Sequence, residues 1–318
     1  MSLVRVAILD DYQQVALASA DFSGLTGRAE VVAFTDHLAD PTAVVDRLAD
    51  FDVVVAMRER TPFPADLLDR LPRLRLLITA GMANASIDVS AARERGVIVC
   101  GTGGSAAATT ELIWALIMSV ARRIPAEDAA VRAGRWQTTL GTELAGSTLG
   151  VVGLGFLGQA VARYARVFDM RLLAWSPNLN AETASRHGAE LVGKRELFER
   201  SDIVTVHLKL SERSRGLLGA DELRALGPAG YLVNTSRGPI VDEDALVAAL
   251  CGGTIAGAGL DVFDTEPLPL DHPLRTAPNT VLTPHIGFVS QQSYRRIYGD
   301  AVEDITGWLD GKAIRELH

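Results

Sequence analysis

The amino-acid sequence predicts an α/β protein in which two doubly wound parallel sheets each form a domain. Short runs rich in Val, Ile and Leu alternate with helical patterns along nearly all of its 318 residues, which is typical of βαβ units. These runs lack the polar alternation of strands with one face in water, as expected of parallel strands covered by helices on both faces. Hydrophobic residues make up 48% of the chain, which is enough for two separate cores.

Five strands are predicted in the first hundred residues, with helices between them. The clearest helical stretches cover residues 41–50, which Pro41 opens, and residues 86–95. The strands are expected near residues 4–9, 30–34, 52–56, 76–79 and 97–99.

A second series of strands follows two further helices. A long apolar helix is predicted over residues 105–122 and a shorter one over about 125–133. Six strands then alternate with helices, which is the count of a complete dinucleotide-binding sheet. A final helix, about 290–309, has no strand after it and could return to the first domain. The six strands are expected at residues 149–152, 171–175, 203–208, 231–234, 257–262 and 280–282.

The composition argues against several classes of protein. The formal net charge is −8, whereas nucleic-acid binders normally carry a basic face. Cys100 and Cys251 have no neighbours at metal-ligand spacing, so we expect no metal and no disulfide framework. The apolar stretch 4–9 is too short for a secretory signal, and 112–121 is too short to span a bilayer. We therefore expect a protein of the reducing cytoplasm that binds neither nucleic acid nor membrane.

A glycine motif follows the first strand of the second series and opens a helix. Gly153 permits a tight turn, Gly155 lets the backbone approach a pyrophosphate, and Gly158 lets the helix pack close to the strand. The amides of Phe156 and Leu157 would face the phosphates from the helix N-terminus, where the dipole favours an anion. Because strand, turn and helix are all present, the motif predicts a bound dinucleotide.

The residue that usually selects NAD over NADP, by binding the ribose hydroxyls, is different in this chain. An acidic residue normally ends the next strand and holds the ribose hydroxyls, but Ser176 stands at that position. Without the carboxylate a 2′-phosphate is not repelled, yet the nearest downstream arginine is Arg186. The sequence therefore admits either NAD or NADP.

Three charged residues follow three successive late strands. Arg237, Glu266 and His285 would meet in one crevice, because ligands bind outside the carboxyl ends of parallel strands. Arg237 could clamp a substrate carboxylate through paired hydrogen bonds, and His285 could donate a proton to a carbonyl oxygen. Glu266 could hold the imidazole in one tautomer and favour its charged form. Together with a hydride from a nicotinamide, this set predicts reduction of a 2-keto acid.

Each residue of this set also has an ordinary structural interpretation. Arg237 could form a surface ion pair, Glu266 could be an exposed loop acid, and His285 could be a packed structural histidine. His207 lies within an apolar strand, and we do not expect it to be catalytic.

Four stretches resemble the D-isomer-specific 2-hydroxyacid dehydrogenase family, namely residues 144–158, 234–242, 259–267 and 283–287. The resemblance covers essentially the whole chain and implies the catalytic roles given above. It also implies substrate contacts from the backbone at Gly81 and Met82 and from Arg237. The further cofactor contacts that it implies come from Phe156, Leu157, Leu208, Thr235, Ser236, Arg237, Asp261, His285 and Gly287.

The same resemblance implies a particular domain organisation. A Rossmann cofactor domain, residues 101–286, would be inserted into a flavodoxin-like substrate domain made of residues 1–100 and 287–318. Members of the family are usually homodimers built through the cofactor domain, with the helix at 105–122 among the contacts.

Other functions remain open at this point. An enzyme of the same architecture could act on formate or phosphite, although formate enzymes pair the histidine with Gln rather than Glu. A cofactor-sensing corepressor could keep the same three residues. Within the dehydrogenases, glyoxylate or hydroxypyruvate needs only Arg237 and the backbone loop, whereas 3-phosphoglycerate needs a further cation. Arg58 and Arg60 could supply it, although we expect them to be solvated loop residues.

Overall fold

The computed structural model describes residues 3–318 and divides into two compact units. The first unit contains residues 3–105 and 289–318, and the second contains residues 106–288. These divisions fall a few residues beyond the boundaries expected from the sequence. Residues just after position 100 stay with the first unit, because the amide of Thr102 donates to the Thr79 carbonyl at 3.0 Å and that of Gly103 to the Asp300 carboxylate at 2.6 Å.

The first unit is built on five parallel strands in the order β2-β1-β3-β4-β5. This is the flavodoxin-like order, in which the direction of strand addition reverses between β1 and β3. The predicted flavodoxin-like class is confirmed, and each predicted strand is present within one or two residues. The strands are β1 (Val4–Ile8), β2 (Ala29–Ala33), β3 (Val53–Ala56), β4 (Leu76–Thr79) and β5 (Ile98–Gly101).

Helices and the final segment of the chain complete the first unit. The last helix packs against β4 and the short helix Ala16–Ser19, so it returns to the first unit as the sequence suggested. The residues after it extend the sheet at β5, where the amide of Leu317 donates to the Val99 carbonyl at 2.8 Å. The helices of this unit are α1 (Ala16–Ser19), α2 (Pro41–Leu48), α3 (Ala65–Asp69), α4 (Val89–Glu94) and α12 (Gln291–Leu309).

Residues 106–288 form a second parallel sheet, in the order β12-β11-β10-β9-β6-β7-β8. This is the order of a dinucleotide-binding fold with one strand added beyond the usual six. The strands are β6 (Thr148–Val152), β7 (Arg171–Trp175), β8 (Glu190–Leu191), β9 (Ile203–Val206), β10 (Tyr231–Asn234), β11 (Gly257–Leu260) and β12 (Thr280–Leu282).

The sequence analysis missed strand β8. It is two residues long and pairs with Leu173 and Ala174 at the edge of the sheet, so it has no hydrophobic pattern of its own. The long apolar helix and its successor are present within a residue of their predicted ends. The helices of this unit are α5 (Ala106–Ala121), α6 (Ile124–Arg132), α7 (Phe156–Val167), α8 (Ala181–Arg186), α9 (Lys194–Arg200), α10 (Ala220–Leu226) and α11 (Glu243–Cys251).

The central strands of the second sheet are buried on both faces. Val204 and Leu232 belong to the core on one side, whereas Ile203 and Val233 belong to the core on the other. All four are at most 1% exposed, which explains why these strands are apolar without a polar alternation. Across residues 3–318, no helix combines the length and hydropathy needed to cross a membrane.

Candidate active site

The glycine turn between β6 and α7 has the geometry that a dinucleotide requires. Gly153 has a φ of +98°, and a Cβ there would lie 2.9 Å from the backbone of His207. A Cβ at Gly158 would overlap the Gly153 carbonyl oxygen, so glycine is needed for the helix to approach the strand. Apart from Gly155 itself and its neighbours in the chain, no described atom lies within 4 Å of the Cβ position of Gly155. The turn therefore leaves an open cradle in front of the helix.

The N-terminus of α7 faces this cradle with the backbone amides of its first turn. Gly155 is the N-cap, and the amides of Phe156 and Leu157 belong to the first turn, which has no intrahelical acceptor for them. The Phe156 side chain is 79% exposed, so protein does not cover this helix end on that side. Amide donors at a helix N-terminus suit a pyrophosphate, and the residues present fit a dinucleotide.

Ser176 lies directly beside the turn. The amide of Gly153 donates to the carbonyl of Trp175 at 2.8 Å, which places the end of β7 next to the glycines. On the other side of β6, Leu208 follows β9, and its side chain would lie 3.0 Å from a Cβ at Gly153. The predicted positions Ser176 and Leu208 therefore flank the glycine turn.

His285 and Glu266 form a direct pair at the carboxyl end of the sheet. The Nδ1 of His285 lies 2.6 Å from Oε2 of Glu266, and the two side chains are 16% and 29% exposed. The other carboxylate oxygen, Oε1, accepts a hydrogen bond of 3.0 Å from the amide of Phe263. Because a carboxylate accepts, Nδ1 of His285 donates, and Nε2 is left as the ring nitrogen that can exchange a proton with a ligand.

Asp261 holds the loop that carries the histidine. It is 1% exposed, and its oxygens accept from the Thr283 hydroxyl at 2.6 Å and from the amides of Ile286 and Gly287, each at 2.8 Å. Burial raises the pKa of this carboxyl, while these hydrogen bonds act in the opposite direction. Both oxygens thus have protein partners, which fix the backbone on either side of His285.

Arg237 is presented by a compact turn after β10. The Asn234 side chain accepts from the amide of Ser236 at 3.0 Å and donates to the carbonyl of Arg237 at 3.0 Å. The Ser236 hydroxyl donates to the carbonyl of Val206, at the end of β9, at 2.8 Å. The guanidinium itself donates to the Ser236 carbonyl at 2.7 Å. Thr235, in the same turn, is buried.

The segments that carry the three charged residues are brought together at one edge of the sheet. Strands β10, β11 and β12 are neighbours, and Arg237, Glu266 and His285 follow them in that order. A Cβ at Gly238 would overlap the backbone of Phe263, so the turn after Arg237 packs directly on the segment before Glu266. The glycine turn follows β6 and lies at the same edge, because all strands of this parallel sheet end on one side. Ligands of parallel sheets bind at the carboxyl ends of strands.

The predicted substrate loop belongs to the first unit. Gly81 follows β4 with a φ of +99°, and its amide donates to the Thr102 hydroxyl at 3.1 Å. Met82 is exposed. The Asn84 side chain donates to the Arg58 carbonyl at 2.6 Å and to the Thr79 hydroxyl at 2.9 Å, so the loop is anchored from both sides. The binding of substrate by Gly81 and Met82 stays a prediction.

His207 has a structural environment, as expected. Its Nε2 lies 3.0 Å from the Thr205 hydroxyl, and burial lowers the pKa of the imidazole to about 3. It stays neutral at physiological pH and supports the glycine turn through its backbone. Among residues 3–318, no group of three or more His, Cys, Asp or Glu side chains is arranged to hold a metal ion.

The comparison with known proteins defines the class to which this fold and site belong. The family model described as "D-isomer specific 2-hydroxyacid dehydrogenase, NAD binding domain" matches residues 114–287, more than half of the chain. The chain belongs to this family. It is accordingly an oxidoreductase that acts on the CH–OH group of 2-hydroxy acids with NAD or NADP.

Individual relatives show the same likeness. A glyoxylate reductase from Korarchaeum cryptofilum is 37% identical over 276 residues, which are 85% of this chain and 83% of the relative. A phosphoglycerate oxidoreductase from Vibrio cholerae has a structure that matches with a TM-score of 0.92 at 34% identity, over 97% of this chain and 100% of that one. An NADPH-dependent glyoxylate/hydroxypyruvate reductase from Sinorhizobium meliloti matches with a TM-score of 0.77 at 28% identity, over 99% and 97%.

Proposed function

We propose that Arg237, Glu266 and His285 carry the reduction of a small 2-keto acid to the D-2-hydroxy acid. The observation that carries this proposal is the 2.6 Å contact between His285 and Glu266 on a segment packed against the Arg237 turn. Arg237 binds the substrate carboxylate, and the Nε2 of His285 gives its proton to the carbonyl oxygen. Glu266 keeps Nδ1 protonated and stabilises the imidazolium before transfer. A bound nicotinamide dinucleotide supplies the hydride.

The cofactor would be held by residues around the glycine turn. In this proposal Gly153, Gly155 and Gly158 shape the cradle, and the amides of Phe156 and Leu157 bind the pyrophosphate. Further contacts come from the residues that follow β7, β9, β10, β11 and β12, namely Ser176, Leu208, Thr235, Ser236, Arg237, Asp261, His285 and Gly287.

We propose glyoxylate or hydroxypyruvate as the type of substrate, with the backbone at Gly81 and Met82 as an additional carboxylate contact. Arg60 is engaged within the first unit, because it donates to the Asp10 carbonyl at 2.9 Å and stacks over Tyr12 at 4.4 Å. Arg58, the other candidate for binding the phosphate of a substrate such as 3-phosphoglycerate, has its guanidinium 3.4 Å from the Ala80 carbonyl. The relatives described above include both substrate types and no corepressor.

A panel of 2-keto acids assayed with NADH and with NADPH tests this proposal. We expect oxidation of the cofactor with glyoxylate and hydroxypyruvate, and weaker activity with 3-phosphohydroxypyruvate. A higher activity with 3-phosphohydroxypyruvate than with glyoxylate and hydroxypyruvate would instead indicate a phosphorylated substrate, as in the phosphoglycerate dehydrogenases. Absence of oxidation across the whole panel would contradict the proposed function.

Ser176 makes the enzyme accept both dinucleotides in this proposal. Residues 176–181 contain neither an acid, which would hold the ribose and repel a 2′-phosphate, nor a cation, which would attract one. Glu182, the next charged residue, faces Arg186 at 3.9 Å. Binding of NADH and binding of NADPH should then differ by about one hydrogen bond at the ribose. The values of kcat/KM for the two cofactors should therefore agree within about tenfold.

The substitution Ser176→Asp is expected to disfavour NADPH relative to NADH by at least about tenfold, because the new carboxylate repels the 2′-phosphate. The measurement is the ratio of kcat/KM values for the two cofactors. Ser185→Asp, which adds the same charge at an exposed position of α8, serves as the control and should leave the ratio unchanged. An unchanged ratio in Ser176→Asp would remove this residue from the ribose site.

We also propose that the protein is a homodimer built through the second unit. Ile124, Val131 and Val167 are exposed and line one groove, and Trp136 and Leu140 are exposed in the segment after α6. Exposed apolar side chains that cluster in this way are typical of a protein–protein interface. A monomer mass by light scattering at micromolar concentration would contradict the proposal.

We further propose a cytoplasmic location, since Cys100 and Cys251 are free thiols; recovery from a secreted fraction would contradict it.

A further inference from the structure

The segment that carries Glu266 is anchored on its outer side by a second carboxylate. This segment, residues 261–275, lies between β11 and β12 and is called the Glu266 loop below. Glu243, the first residue of α11, accepts a hydrogen bond of 3.1 Å through Oε2 from the amide of Asp264. Its Oε1 lies 3.0 Å from Nε2 of His272, near the other end of the loop. One side chain thus joins both arms of the loop to a helix.

The histidine in this anchor has a defined tautomer. Its Nδ1 accepts a hydrogen bond of 3.3 Å from the amide of Leu274, so the ring proton lies on Nε2 and is donated to Glu243. The side chains of His272 and Glu243 are 19% and 17% exposed, so solvent competes little for these hydrogen bonds. A neutral imidazole therefore satisfies both neighbours at once.

Two consecutive amides of the loop connect the anchor to the catalytic pair. The amide of Phe263 donates to Oε1 of Glu266, and the next amide, that of Asp264, donates to Oε2 of Glu243. The orientation of these two peptide groups is therefore set by two carboxylates, of which one also holds His285 at 2.6 Å. Loss of the Glu243 carboxylate would release the peptide group of Asp264, which directly follows the one that holds Glu266.

We propose that Glu243 and His272 are positioning residues that hold Glu266 in place against His285. The proposal rests on the proposed function only in assigning Glu266 and His285 to the reaction. Glu243 does not touch the reacting atoms; it acts through the Glu266 loop. A displacement of Glu266 by about 1 Å is enough to cost up to a hundredfold in rate.

The substitution Glu243→Ala is expected to lower kcat for a 2-keto acid by between about tenfold and a hundredfold, with the Kd for NADH nearly unchanged. Asp244→Ala is the matched control, because Asp244 is an exposed acid in the same first turn of α11 and acts on Asp264 of the loop through its charge, whereas Glu243 also accepts a hydrogen bond from the loop backbone. The milder Glu243→Gln keeps an acceptor for the Asp264 amide and should retain more activity than Glu243→Ala.

A double-mutant cycle separates positioning from general damage. If Glu243 acts through Glu266, Glu243→Ala should cause little further loss of kcat in a Glu266→Gln background. Equal factors in the two backgrounds, or a loss no greater than that of Asp244→Ala, would overturn the proposal.

Amide hydrogen exchange gives a readout that does not depend on activity. In Glu243→Ala, the amides of Phe263 and Asp264 should lose protection relative to wild type and to Asp244→Ala. Unchanged protection of both amides would overturn the positioning role, even if the substrate proposed above were wrong. Lost protection together with full activity in Glu266→Gln would instead leave the anchor in place and contradict the catalytic role of Glu266.

Discussion

Replacing His285 by Ala is expected to lower turnover of a 2-keto acid by about a hundred- to ten-thousand-fold, the range that general acid–base catalysis contributes. The imidazole is held by Glu266 at 2.6 Å. The backbone of the loop that carries His285 is fixed by the hydrogen bonds of Asp261, so the position of this loop does not depend on the imidazole ring. The variant should therefore fold and still bind NADH, with a Kd that changes far less than turnover, because His285 is only one of the proposed cofactor contacts. Steady-state rates of NADH oxidation give the turnover. A fluorescence titration with NADH in the absence of keto acid gives the Kd.

Two comparisons make this prediction specific to proton transfer. His187→Ala removes a histidine at the end of α8 and should leave turnover unchanged. Added imidazole should restore part of the activity of His285→Ala, because a small acid can occupy the vacated space. Turnover of His285→Ala close to that of the wild type would remove His285 from the role of acid.

The second large effect is expected for Arg237→Lys. A lysine keeps the charge but cannot reproduce the two parallel hydrogen bonds of a guanidinium to a carboxylate. Loss of one charge-assisted hydrogen bond corresponds to about 1.5–3 kcal/mol, so kcat/KM for the keto acid should fall by about ten- to a hundredfold or slightly more.

The loss in Arg237→Lys should be much larger in kcat/KM for the keto acid than in the Kd for NADH, because Arg237 is only one of the proposed cofactor contacts. Arg224→Lys, at an exposed arginine of α10 that pairs with Asp221 at 2.7 Å, is the control and should behave as wild type. Retention of the original KM and kcat in Arg237→Lys would mean that the substrate carboxylate is bound elsewhere.

The sequence predicted most of the fold because the relevant signals are local. A buried parallel strand is continuous in Val, Ile and Leu, as in Ile203–Val206, and Gly153 and Gly158 occupy positions where a Cβ meets backbone. The placement of the segments that carry Arg237, Glu266 and His285 at one edge was also predictable, because each segment follows a strand and parallel strands end at the same edge of a sheet.

Other features depend on contacts between distant residues and were missed. Glu243 and His272 are 29 positions apart, and nothing in either local sequence indicates that they pair. The donation of the Gly81 amide to Thr102 likewise joins residues 21 positions apart. Strand β8 forms because two residues meet the edge of β7, which is a property of the folded sheet rather than of its own sequence.

Chiral analysis of the product tests the central claim most directly. A carboxylate fixed by Arg237, with a proton from His285 and a hydride from the dinucleotide, exposes one face of the carbonyl group. Because the family is specific for the D-isomer, hydroxypyruvate reduced with NADH or NADPH should give the D-isomer of glycerate in excess. Formation of the L-isomer, or of a racemic mixture, would contradict the arrangement of these groups around the substrate.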